Sequence, residues 1–168
     1  TLTSSLTARS RFSGKGAADR NNSPYINSTA MTTQERINKG LEFHRSGYNC
    51  AQSVLMSLAD RLGIDTGLAA TVSTGLGGGV GGQGEICGVA TAMAVAESIV
   101  SSNDPAQKAA VYERVRGLCS QFRDRNNGML LCRELKRQPQ ARSCDMLIAD
   151  GIEILCGMLD SRQQDAAR

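Results

Sequence analysis

From Thr32 onward the apolar residues return every three or four positions, the period of helices with one buried face. Thr32-Thr33-Gln34-Glu35 reads as a capping box, and Ile37, Leu41 and His44 follow at helical spacing. A second helix is predicted from near Asn49 through Val54, Leu55, Leu58 and Leu62, closed by Gly63 just past its end. Asp65 or Thr66 caps a short third helix through Leu68 and Val72, which ends in a glycine run from Gly75 to Gly84. Seven glycines in those ten residues are too many for a helix to survive. Residues 85–101 are then apolar nearly all round, with Ile86, Val89, Ala90, Met93, Val95, Ile99 and Val100, as suits a helix enclosed by others.

Asp104-Pro105 is an N-cap followed by Pro at the first helical position, and the stripe Val111, Val115, Leu118, Cys119, Phe122 continues from it. A short turn carries Leu130, Leu131, Cys132 and Leu135. The last helix is capped by Ser143 and shows Leu147, Ile148, Ile152, Leu155, Cys156 and Leu159 on one side. No segment has a strand's alternation. The prediction is an all-α fold, a compact bundle of about four to six helices with a Gly-rich loop before a central apolar helix. Small alanine faces on that helix let neighbours approach closely, and a homodimer is compatible with the pattern.

Upstream, residues 1–30 show no apolar period and are rich in Ser, Thr, Asn, Gly and Ala, so a disordered extension is expected there. The helical domain is expected over residues 31–162, with a frayed end over 163–168. Met31 reads as the natural start, although the acid-poor stretch before it, with its Arg and Ser, mildly resembles an organellar transit peptide. The expected compartment is the cytoplasm, or an organelle if that stretch is a true transit peptide.

The net charge of +3 changes meaning once it is located: residues 1–30 carry Arg9, Arg11, Lys15 and Arg20 against Asp19, which leaves fifteen charges of each sign in residues 31–168. A neutral helical part has no clustered basic face, so nucleic-acid binding is not expected. No run of about 18 apolar residues is present, so no membrane span is expected either. Aromatics make up 4% of the chain and Trp is absent, which leaves Leu, Ile, Val, Met and Ala to build the core and favours helices over sheets.

Six cysteines without a secretory signal point to metal binding or redox chemistry rather than to a disulfide framework. Cys119 and Cys156 fall inside helices on the apolar stripe and read as small buried hydrophobes. Cys50, Cys87, Cys132 and Cys144 each fall in the first turn of a predicted helix, where unpaired amides and the helix dipole favour a negative sulfur. A thiol at its reference pKa near 8.5 is only about 3% ionised at pH 7, and one lowered to about 6.5 is roughly three-quarters ionised. No C-x-x-C is present, so a site using all four sulfurs must be assembled from separate helices.

Tyr48-Asn49-Cys50-Ala51-Gln52-Ser53, then Gly77-Gly78-Gly79-Val80, Gly84-Glu85-Ile86-Cys87-Gly88, Cys132-Arg133-Glu134-Leu135 and finally Cys144 together resemble the C-GCAxxG-C-C family, described as redox-active. The resemblance covers roughly residues 34–156 and implies that Cys50, Cys87, Cys132 and Cys144 are the family's four cysteines. After Cys87-Gly88 the sequence departs from the pattern, with Val89-Ala90-Thr91-Ala92 where the family has Ala followed later by Gly.

Two chemistries follow for such a site: an iron–sulfur cluster, for which four cysteines are the usual complement, or a centre cycling between dithiol and disulfide. Either implies a redox partner protein. A zinc site with four cysteine ligands is the alternative, which would make the chain a structural module. The glycine run formally matches G-x-G-x-x-G, yet no strand precedes it and no Gly-Lys-Ser/Thr follows, so nucleotide binding is not expected. Its amides, those of Gly81, Gly82, Gly84 and Glu85 in particular, are candidates to donate to the sulfurs or to an anion. The carboxylate of Glu85 reads as ordinary dipole complementation, and His44, the only histidine, as a satisfied core residue.

Overall fold

Helix α1, Thr33–Arg45, starts where the sequence says: the Thr32 hydroxyl accepts from the Glu35 amide while the Glu35 carboxylate accepts from the Thr32 amide. This computed structural model describes residues 31–168 other than Gln138 and Gln140, so the extension expected over residues 1–30 lies outside the described residues. Helix α2, Cys50–Ser57, opens on a second capping box between Asn49 and Gln52. It ends at Leu58, short of the predicted length, and the single turn α3, Ala59–Leu62, resumes after the break. The Ser53 and Ser57 hydroxyls bond back to the carbonyls of Asn49 and Val54, a pattern that bends helices and here precedes the break. Gly63 then closes α3 in the left-handed conformation.

The remaining helices are α4, Thr66–Ser73, α5, Gly88–Ile99, α6, Lys108–Arg125, the single turn α7, Cys132–Leu135, and α8, Cys144–Ala166. Short 3₁₀ turns at Thr74–Leu76 and Pro105–Gln107 follow α4 and precede α6. Among the described residues the fold is all-α. No strand forms, and one isolated antiparallel bridge joins Ile86 to Leu131. Among the described residues eight α-helices replace the predicted four to six because two of them, α3 and α7, are single turns.

The most enclosed element is α2, which packs against α1, α4, α5 and α8 and is buried along nearly its whole length. Helix α5 joins it at the centre and packs on α2, α6 and α8. The expected close approach at α5 is present, since a Cβ on Gly151 of α8 would collide with the Val89 side chain. The core is built from Val54, Leu55, Leu58, Met93, Phe122, Leu147, Ile148, Ile152 and Leu155, all shut off from solvent. Burying such side chains stabilises the fold by about 1.5–3 kcal/mol each.

Two readings of the pattern are corrected. On α4, Leu68 and Val72 are nearly half exposed, and the helix instead buries Ala69 and Ser73 toward α2. Residues 85–101 are not a purely apolar helix, because Glu97 is fully buried and binds Arg114, Arg162 and Ser101. That carboxylate ties α5 to α6 and to the far end of α8. No helix among the described residues is long and apolar enough to cross a membrane.

Candidate functional site

Each of the four helix-start cysteines belongs to a different helix. Cys50, Cys132 and Cys144 are the first residues of α2, α7 and α8, and Cys87 is the residue that precedes α5. Topology brings their helix starts to one end of the bundle. The Cys87 amide donates to the Leu130 carbonyl at 2.9 Å, and the Cys132 amide to the Glu85 carbonyl at 2.7 Å, which clamps α7 to the strand-like residues before α5. At the same end, His44 Nδ1 meets Asp145 Oδ1 at 2.7 Å and joins the end of α1 to the start of α8. The thiols are close enough to act on one another's charge: Cys50 with Cys87, Cys132 and Cys144, and Cys132 also with Cys87 and Cys144.

The glycine loop lies over these sulfurs. Gly79 has φ +73°, and a Cβ there would sit 2.8 Å from Cys132 Cβ and 2.6 Å from the Glu85 nitrogen. A Cβ on Gly88 would sit 2.7 Å from Cys50 Sγ. The loop's role is therefore close backbone approach. The amides expected to reach sulfur or an anion are engaged within the loop itself: Gly81 donates to Gly75, Gly82 to Gly77, Gly84 to Gly78 and Glu85 to Gly79, at 2.8–3.1 Å. The loop amide that faces a sulfur is that of Gly78, at Cys50. Glu85 is turned outward and pairs with Arg133 at 2.5 Å, beyond simple dipole complementation.

Burial changes the thiol chemistry foreseen from helix starts. Cys87 is 1% exposed, and loss of water around it pushes its thiol up to about 12 against the opposing amides of Val89 and Ala90. Burial also raises Cys50, which is 7% exposed, against the Gly78 and Ala51 amides, and neighbouring thiols add to the rise. Cys132 is half-buried and shifts in the same direction for the same leading reason, with Lys136 opposing it. The expectation of lowered values is thus overturned for Cys50, Cys87 and Cys132, because desolvation outweighs one helix N-terminus. Lys136 lies against Cys144, and that hydrogen bond raises the ammonium above its ordinary value.

The two cysteines set aside also separate. Cys156 is buried as expected, whereas Cys119 on α6 is only partly buried. All six are free thiols. His44 is partly exposed and hydrogen-bonded to Asp145 rather than packed in the core. Lys136 also borders the site, and its position four residues after Cys132 puts both on one helical face. The His44–Asp145 pair spans 101 residues of chain, a separation at which no local pattern signals a contact.

Among the described residues, no group of three or more His, Cys, Asp or Glu converges as a single metal ion requires. A family model described as "Putative redox-active protein (C_GCAxxG_C_C)" matches residues 48–158, the span that holds all four of these cysteines. The chain belongs to the C-GCAxxG-C-C family. Its members are described as redox-active. Comparison with curated proteins and with solved structures finds no match for this C-GCAxxG-C-C chain.

Proposed function

We propose that the protein is an electron carrier in which Cys50, Cys87, Cys132 and Cys144 hold an iron–sulfur cluster. The observation that carries this reading is that the four helix-start cysteines, from four separate elements, lie near enough at one end of the bundle to influence one another. Four cysteines are the usual protein complement of such a cluster. When bound, it supplies one-electron redox chemistry.

The chain supplies the rest. Cys50 and Cys87 give the site a dry wall, where added negative charge is costly, while the Gly78, Val89 and Ala90 amides and Lys136 offset charge on the sulfurs. The buried thiols stay protonated while no cation faces them, and ligation releases those protons because a bound cation reverses the effect of burial on a thiol. Half-buried Cys132 and Cys144 form the side through which electrons pass.

Anaerobic purification tests the reading. Iron with acid-labile sulfide and visible absorption is the expected result, and a colourless, metal-free protein overturns it. The accessibility of neighbouring Cys132 and Cys144 supports a second reading, a dithiol centre. Joining their sulfurs releases two electrons and two protons, and its signature is the reversible loss of two titratable thiols.

A further inference from the structure

We propose that the end of the bundle carrying Cys132 and Cys144 is the docking face for an acidic redox protein, an inference that rests on the redox reading of the four cysteines. Access sets the direction of approach, since Cys50 and Cys87 are buried and the other two are half-buried. Around them, apolar side chains are partly exposed: Tyr48 two residues before Cys50, its ring edge-on to Phe43, Val80 just after Gly79, and most of all Met146 in the first turn that begins with Cys144. Each belongs to a segment that builds the cysteine site. An apolar centre within a polar rim is the anatomy of a protein interface, and isolated function does not explain why this end remains partly apolar.

The rim carries the sign of the partner. Lys136 lies against Cys144 and Arg137 follows it, and among the described residues neither has a carboxylate within ion-pair distance. The nearby acids are already engaged: Glu85 by Arg133, and Asp145 by His44 and Arg45. With Arg133 held by Glu85, Lys136 and Arg137 are the cations of Arg133–Arg137 left without an ion pair, against Glu134. A surface with uncompensated cations around an apolar centre is complementary to an acidic rim, which steers encounter and fixes orientation.

An oxidised, acidic plant-type [2Fe–2S] ferredoxin serves as the probe, with a basic c-type cytochrome as its opposite. Binding to the full chain is followed by calorimetry, separately from electron exchange. Ferredoxin is expected to bind, with affinity falling about tenfold between about 20 and about 200 mM salt. Arg137→Glu should lower the low-salt affinity by about tenfold. Met146→Ser should weaken binding at both salt concentrations while the helical spectrum is unchanged. Absence of ferredoxin binding, insensitivity to salt and to Arg137→Glu, or equal affinity for the cytochrome overturns the proposal. A protein that binds ferredoxin with these dependences but exchanges no electron keeps the docking face and sinks the redox reading instead.

Discussion

Gly88 and Cys50 are in contact across the α5–α2 boundary: a Cβ on the glycine would lie 2.7 Å from the sulfur and 2.9 Å from the Leu76 carbonyl oxygen. Helix α5 can start where it does only because its first residue has no side chain. Gly88→Ala should push Cys50 aside and cost about 1–3 kcal/mol, the usual range for overpacking. Iron content per chain should fall together with the urea midpoint. Full iron loading in a variant of unchanged stability would contradict this account of the glycine.

The six sulfurs should divide into two sets. Replacing Cys50, Cys87, Cys132 or Cys144 with Ser removes a ligand from the proposed cluster and should abolish visible absorption in each case. Cys156→Ala should keep the absorption and cost on the order of 1 kcal/mol, since a small buried volume is lost. Cys119→Ala should keep it at smaller cost, because that side chain is only partly buried. Retained absorption in any of the four Ser variants would remove that sulfur from the set.

The metal-free protein should lose stability in alkali. Cys87 is raised to about 12 when folded, and Cys50 and Cys132 are raised too. Between the unfolded thiol value near 8.5 and the folded value, the unfolded chain has released protons that the folded chain still holds. Stability is therefore fully present below about pH 8.5 and falls as pH rises toward about 12, by about 1.4 kcal/mol per unit for each thiol still protonated only in the fold. Urea titrations of metal-free protein across that window, with Cys87→Ala for comparison, measure it. A flat profile would mean that burial does not hold these protons.

At the other end of the bundle, Glu97 is fully buried and its Oε1 accepts from Arg114 Nε at 2.5 Å, from Ser101 Oγ at 2.8 Å and from Arg162. Glu97→Gln leaves both arginines without their counter-ion. Because both guanidiniums reach solvent, the cost should be about 1–3 kcal/mol, below that of breaking a wholly buried pair. Denaturant unfolding should show it while iron loading stays unchanged, since Glu97 lies along α5 well beyond the helix start that Cys87 caps. Loss of iron in this variant would show that the two ends are coupled.

Helix identity was legible in the residues themselves because capping and apolar period are local. Thr32 with Glu35, Asn49, Asp65 and Ser143 mark helix starts in the structure as they do in the sequence. The four helix-start cysteines could be named for the same reason. Their surroundings could not be read this way, because desolvation depends on what packs above each sulfur, and burial turned an expected fall in three thiol values into a rise. Periodicity also finds a helix's apolar face without finding the neighbour that covers it, which is why Leu68 and Val72 proved exposed. The chain alone determined the helices and which sulfurs begin them. Only the tertiary structure decided that those helix starts gather at one end, that the loop amides bond within the loop rather than to sulfur, and that Lys136 and the His44–Asp145 pair border the site, because each depends on how the chain is packed rather than on a local pattern.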